Sequence, residues 1–317
     1  MRSGPFALLV LAWFLALLGL RWAAEPLAAG IAHLTTRAMD DDPGERGITL
    51  PPKPEGYEPP AAPGSSGEGA AAARLTREGC LARPASLHDV CLQALARQDA
   101  ATDPTGSAAR CSDVRDAELR EECLADVAEA AAPADRAASE QICGQVTARK
   151  WRGQCHFGIG LALAETDPAY ALGRCEHAEA FRDFCRHDVV GEVALANLAP
   201  AVAFCAQEEG DDLTRKTCWH GIGKYLARRD AVEAAAACLQ ATEAWRGNCF
   251  HGVGWGAAER DPDAALAACA AFGAYTENCR QGVAHQLKRF DTPRALALCE
   301  SLGDARLRGR CLAFVRR

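Results

Sequence analysis

Apolar residues recur every three to four positions along most of the chain after residue 74, which is the period of an amphipathic α-helix. One such stripe comprises Trp151, Cys155, Ile159 and Leu163, at intervals of four positions. The stripe returns twice further along the chain, as Trp245/Cys249/Val253/Ala257 and as Tyr275/Cys279/Val283/Leu287. The pattern predicts a series of similar helices.

A turn signal follows each of these predicted helices. It reads Asp167-Pro168 and Asp261-Pro262 in two units and Asp291-Thr292-Pro293 in a third. Asp or Thr suits the N-cap position of a helix, and Pro suits its first turn. A second, Ala-rich helix is therefore predicted after each turn, so that one unit consists of two helices.

The cysteines give the period of the repeat, because alternate members recur at a nearly constant interval. They are Cys80, Cys91, Cys111, Cys123, Cys143, Cys155, Cys175, Cys185, Cys205, Cys218, Cys238, Cys249, Cys269, Cys279, Cys299 and Cys311. A period of roughly 31 residues with two helices per unit is typical of an α-solenoid. We therefore predict an all-α fold over residues 74–317, with about seven to eight helix-turn-helix repeats stapled by disulfides.

Two disulfide registers fit the spacing. Pairing of the type Cys80–Cys91 uses every thiol and ties each second helix to the first helix of the next unit. Pairing of the type Cys91–Cys111 has the same separation in every unit but leaves Cys80 and Cys311 alone. Complete use of the thiols favours the first register, and both remain open at this point.

Residues 1–73 read differently from the repeats. Residues 1–24 contain an apolar run behind Arg2, which is typical of a signal peptide or of an uncleaved anchor formed by residues 5–22. Residues 25–73 include a Pro/Gly-rich stretch and are expected to form a linker. Together with the many cysteines, this segment predicts an exported, periplasmic or otherwise extracytoplasmic protein.

Charge and motifs exclude several classes of function. The formal net charge of −7 and the lack of a basic patch argue against a nucleic-acid partner. The sequence has no CxxCH motif for haem attachment and no GxxxxGK[ST] phosphate loop. The periodic cysteines suit a scaffold rather than a nucleophile, so we expect a protein that is not an enzyme and has no cofactor.

Three histidines nevertheless occupy one position of the repeat. His187, His220 and His251 each follow a cysteine by two positions, which places them about 200° from the apolar stripe and predicts exposure. A row of imidazoles in neighbouring helices suits inter-repeat hydrogen bonds or, as an alternative function, a metal such as zinc. Phe157 and Gln281 hold this position in the flanking units and interrupt the row.

The remaining histidines near this row, His156 and His285, lie out of its register. Lys224 and Trp255 are expected to share the row's surface and to contribute to binding. Trp219 and Phe250 also break the apolar stripe, so they suit either a recognition patch or packing between repeats.

The glycines beside the row are the last repeated feature. They occur in pairs at 158/160, 221/223 and 252/254, inside predicted helices, where each costs about 1 kcal/mol relative to Ala. Close packing of neighbouring helices would offset this cost, so we expect these helices to approach one another closely.

The order of a cysteine late in one helix, another about ten residues on, small residues, a turn and an "AL..C" motif resembles the cysteine-rich Sel1-like repeat proteins of bacteria. The resemblance covers roughly 240 residues. It implies an exported, disulfide-stapled superhelix that recognises a protein or peptide partner and contacts a membrane only through its N-terminal segment. We expect such a non-catalytic scaffold, with binding residues His187, His220, His251, Lys224 and Trp255.

Overall fold

A computed structural model describes residues 74–207 and 212–317; the predicted signal or anchor segment and linker lie outside these ranges. Within them the chain forms sixteen α-helices and no β-strand. The helices are α1 Arg77–Leu81, α2 His88–Gln98, α3 Pro104–Arg110, α4 Ala117–Ala131, α5 Arg136–Cys143, α6 Arg149–Leu163, α7 Pro168–Arg174, α8 Arg182–Ala196, α9 Leu198–Gln207, α10 Asp212–Arg229, α11 Ala231–Cys238, α12 Glu243–Ala258, α13 Pro262–Cys269, α14 Thr276–Leu287, α15 Thr292–Glu300 and α16 Ala305–Val315. The predicted all-α repeat fold is confirmed.

Aspartates begin many of the helices. The Asp167 side chain accepts a hydrogen bond from the Tyr170 amide at the start of α7, and Asp291 does the same for Arg294 in α15. Six further helices start in this way, with caps at Asp103, Asp116, Asp135, Asp230, Asp261 and Asp304. Each such cap stabilises its helix by about 1 kcal/mol.

The helices form two layers. The long-helix layer consists of α2, α4, α6, α8, α10, α12, α14 and α16, and each member packs against the next. The odd-numbered helices form the short-helix layer, and each packs against the long helices that adjoin it in sequence. No hairpin buries its apolar surface alone, as is typical of a solenoid.

Ion pairs between equivalent positions link successive units. Arg97 contacts Glu129 at 3.2 Å and Lys150 contacts Glu118 at 2.8 Å, in both cases across 32 residues of sequence. Such exposed pairs each contribute about 1 kcal/mol or less. The ordering of the units must therefore come mainly from packing and from the disulfides.

Eight disulfide bonds pair all the cysteines of the chain. They are Cys80–Cys91, Cys111–Cys123, Cys143–Cys155, Cys175–Cys185, Cys205–Cys218, Cys238–Cys249, Cys269–Cys279 and Cys299–Cys311. This is the register in which no thiol is left over, and each bond ties the end of a short helix to the following long helix. So many disulfides indicate an oxidising, extracytoplasmic environment.

Glycines bring the long helices of the C-terminal half into backbone contact. A Cβ atom at Gly254 of α12 would overlap the carbonyl oxygen of Cys279 in α14, and one at Gly256 would overlap that of Lys224 in α10. These approaches require glycine because any side chain would force the helices apart.

This close approach covers the middle of two long helices on every face. Seven consecutive residues are buried in α10, at Gly221–Ala227, and again in α14, at Gln281–Leu287.

Over the described residues, none of the helices combines the length and the apolar character needed to cross a bilayer.

Candidate functional site: a buried histidine ladder

The three histidines of the repeat lie at equivalent places on successive long helices, His187 on α8, His220 on α10 and His251 on α12. The prediction that they are exposed is wrong. His187 is only 2% exposed, and His220 and His251 are partly buried. The face of each helix opposite its disulfide is covered by the neighbouring long helices, which the glycines allow to come close.

The imidazoles are joined by direct hydrogen bonds. Nε2 of His187 lies 2.9 Å from Nδ1 of His220, and Nε2 of His220 lies 2.9 Å from Nδ1 of His251. The ring centroids are 5.1 and 5.0 Å apart, respectively. Of the two predicted roles, inter-repeat hydrogen bonding is the one that the geometry provides.

A fourth imidazole, which lies out of register in the sequence, continues the row. His285 of α14 is 3% exposed, and its Nδ1 lies 2.9 Å from Nε2 of His251. Gln281, one helical turn earlier, holds the expected position and is also buried. We call His187, His220, His251 and His285, with Asp188 at their head, the histidine ladder.

The ladder begins at a carboxylate. Oδ1 of Asp188 lies 2.5 Å from Nδ1 of His187 and accepts a second hydrogen bond, of 2.8 Å, from the hydroxyl of Tyr225. Burial acts to raise the pKa of Asp188, but the His187 ring, Lys224 and the Tyr225 hydroxyl outweigh it and lower that pKa below its ordinary value. Asp188 is therefore an anion at neutral pH, and burial and this anion raise the pKa of Tyr225.

The rings further along the ladder are neutral. Burial, followed by the neighbouring imidazoles and cations, lowers the pKa of His220 and His285 well below the ordinary value. Burial likewise lowers the pKa of His251 to about 3, assisted by Arg310. With Asp188 as an acceptor, the bonds are satisfied when each ring donates from Nδ1 and accepts at Nε2.

At the far end one acceptor is left over. Among the described residues, the buried Nε2 of His285 has no hydrogen-bond partner. The ring of Phe314, on α16, stacks on His285 with a centroid separation of 4.0 Å and covers this end. A buried acceptor of this kind is uncommon in folded proteins.

Trp255 packs along the ladder instead of facing solvent. Its ring contacts His220, His251 and His285 with centroid separations of 5.8 to 5.9 Å, and the Lys224 ammonium lies 5.4 Å from its centroid. Trp255 and Lys224 are both buried, so the prediction that they line a binding surface with the histidines is wrong. Both side chains lie within the closely packed long-helix layer.

Trp219 and Phe250 are buried as well. Phe250 stacks in parallel on Tyr275 with centroids 4.7 Å apart. The sequence suited these aromatic residues either to a recognition patch or to packing between repeats, and in the structure they pack.

The ladder does not have the geometry of a metal site. Two imidazole nitrogens bound to one tetrahedral zinc ion would lie about 3.3 Å apart and would point at a common centre. Here the nitrogens lie 2.9 Å apart and point at each other in succession. Within the described ranges, no group of three or more His, Cys, Asp or Glu side chains is placed to hold a metal.

Searches with this chain against protein-family models, curated proteins and solved structures find no match. The resemblance to Sel1-like repeats therefore stays a prediction.

Proposed function

We propose that the protein is an exported, non-catalytic scaffold that binds a protein partner on the short-helix layer. The observation that carries the proposal is an apolar stripe on α11 and on Leu239, the residue that caps its C-terminal end. Val232 is 70% exposed and Leu239 is 56% exposed, and Ala236 between them is exposed too. Positions i, i+4 and i+7 share one face of a helix, so these side chains form one outward surface.

The stripe is a specific feature of one unit and not a requirement of the repeat. Asp263 holds the place of Val232 in the next short helix, and Glu300 holds the place of Leu239 in α15. Both of these acidic residues are exposed, so polar side chains satisfy the fold at these positions. Contiguous exposed apolar residues of this kind are typical of interaction sites.

Neighbouring structure supports a binding role for the stripe. Helix α13 contacts α11, and this helix and the turn after it expose Ala264, Ala267 and Ala271, which extends the apolar character of this side. The disulfide between Cys238 and Cys249 holds the end of α11 in place. A surface that is already rigid loses little conformational entropy on binding, so we expect a partner with an apolar helix or loop to be bound here.

The proposed location follows from the oxidised cysteines and the apolar N-terminal run. We place the protein in the periplasm or an equivalent extracytoplasmic space, released if the N-terminal segment is cleaved and anchored to the inner membrane through residues 5–22 if it is not. Fractionation of cells that express the full chain, with and without residues 1–24, tests this location.

The binding proposal is tested with three forms of the oxidised protein as bait in envelope extracts. They are the natural sequence, the double variant Val232→Ser/Leu239→Ser, and the control Glu300→Ser, which changes the equivalent position in another unit. A partner recovered with the natural protein should bind the control equally well and the double variant at least tenfold more weakly, as measured by calorimetry. Equal binding of the partner to all three forms would exclude the apolar stripe as the binding site.

A further inference from the structure

The proton count of the histidine ladder is fixed by its hydrogen bonds. Three bonds join ring nitrogens and a fourth joins His187 to Asp188. Each bond contains one hydrogen atom between a donor and an acceptor. Four protons therefore complete the four bonds, and with four protons every ring is neutral.

One further proton fits without the loss of any of these bonds. It binds at Nε2 of His285, the buried acceptor without a partner among the described residues. The hydrogen on Nδ1 of His285 then moves to Nε2 of His251, and the same transfer repeats through His220 to Nε2 of His187. A sixth proton on the rings would place two N–H groups face to face across a separation of 2.9 Å.

We infer that the four rings of the histidine ladder bind one excess proton and no more, with the charge on His187 and with the three ring-to-ring hydrogen bonds reversed in direction. The proton comes from water, and only N–H bonds break and form. Before uptake the rings of His220, His251 and His285 carry hydrogen on Nδ1. After uptake these three rings carry it on Nε2, and His187 carries both hydrogens.

The charges around the ladder place the excess charge at the His187 end. The titratable and charged groups that face it are Asp188 and Glu192 on α8, Lys216, Lys224 and Tyr225 on α10, Lys288 on α14 and Arg310 on α16. The cations oppose a positive charge on the other three rings. Asp188 is the carboxylate in direct contact with His187, and it stabilises an imidazolium there.

The two ends of the ladder differ in their access to solvent. The Asp188 side chain is 25% exposed. Nε2 of His285 lies under α16, where Phe314 stacks on the ring and the Lys288 ammonium lies 4.4 Å from the Phe314 ring centroid. Proton uptake therefore changes a buried atom beneath α16 from an acceptor to a donor, while the charge appears at the opposite end of the ladder, beside Asp188.

The test is NMR of the full, oxidised chain with ¹⁵N-labelled imidazoles, as the pH is lowered from 8 to the onset of unfolding. We expect all four rings to carry hydrogen on Nδ1 at pH 8. On acidification one ring, His187, should become an imidazolium while the other three change tautomer at the same midpoint. Separate midpoints, two or more imidazolium rings in the folded protein, or no change before unfolding would each overturn the inference.

Two variants separate a connected ladder from four independent rings. His251→Phe interrupts it, so His285 should no longer change at the pH at which His187 changes, whereas an unchanged common midpoint would contradict the inference. Asp188→Asn keeps an acceptor for His187 but removes the anion. If His251→Phe does not fold, Asp188→Asn decides: the common midpoint should fall by at least one pH unit, and an unaltered midpoint would rule out His187 as the site of the charge.

Discussion

Nε2 of His251 lies 2.9 Å from Nδ1 of His285, although 34 residues of sequence separate them. The contact joins α12 to α14 where their backbones come close together, since a Cβ atom on Gly282 would overlap the carbonyl oxygen of His251. Polar side chains are enclosed here because backbones, and not side chains, make the helix-to-helix contact. The ladder and the glycines are therefore parts of one packing arrangement.

Acid should destabilise the protein through the ladder. In the unfolded chain imidazoles bind protons below a pH of about 6.5, whereas the pKa of His220, His251 and His285 is lowered in the folded state. The unfolded state therefore binds more protons below that pH, and the free energy of unfolding falls as the pH falls. Each ring that stays neutral contributes about 1.4 kcal/mol per pH unit to this fall.

The variant His251→Phe tests this expectation. It should be less stable than the natural protein at pH 7.5, because Nε2 of His220 and Nδ1 of His285 lose their partner. The difference should shrink by about 2 kcal/mol at pH 5, since one titrating ring is gone. Val283→Ala, a cavity variant in the same layer, should show a difference that does not change with pH. Urea unfolding at both pH values measures these quantities.

The sequence predicts helices better than it predicts what covers them. The stripe Trp151, Cys155, Ile159 and Leu163 lies on the buried side of α6, as its spacing indicates. The same spacing placed His187 on the opposite face, which is also buried because α10 approaches α8 through Gly221. The spacing of apolar residues along a helix predicts which one of its faces is buried. Only the glycines beside the histidines indicate that a second face of these helices is buried too.

His285 shows a different limit of sequence spacing. It follows its cysteine by six positions, whereas His251 follows its own by two. The two rings meet because α14 presents the next helical turn to α12 at this point. Such a shift of one helix along the axis of its neighbour depends on how the two helices pack. The spacing of residues along the sequence does not predict it.

Loss of one disulfide should cost stability without changing the fold. The bond between Cys238 and Cys249 closes a loop with a sequence separation of 11. Removing it with Cys238→Ala/Cys249→Ala should lower the free energy of unfolding by about 3 kcal/mol, mainly because the unfolded chain gains freedom. Calorimetry measures the loss, and peptide mapping without reductant should still find the other seven pairs. Re-pairing among the remaining cysteines would contradict the assigned register.

A methyl group at Gly254 should be among the most damaging small changes in the protein. The Cβ atom of Gly254→Ala would overlap the backbone carbonyl of Cys279, an oxygen that cannot move without shifting α14. We expect a loss of about 3 kcal/mol or more, because overpacking against backbone has no side chain to relieve it. The weakened contact between α12 and α14 should also lengthen the hydrogen bond between His251 and His285, which imidazole NMR detects.

The matched control is Gly173→Ala. Gly173 also lies inside a helix, α7, but is exposed, and a Cβ atom there meets nothing within 4 Å among the described residues. This change should raise stability by up to about 1 kcal/mol, since Ala favours the helix more than Gly does. If Gly254→Ala lowers stability and Gly173→Ala raises it, the glycines of the long-helix layer serve close packing. If both substitutions raise stability, α12 and α14 lie too far apart for a Cβ atom at Gly254 to overlap the Cys279 carbonyl.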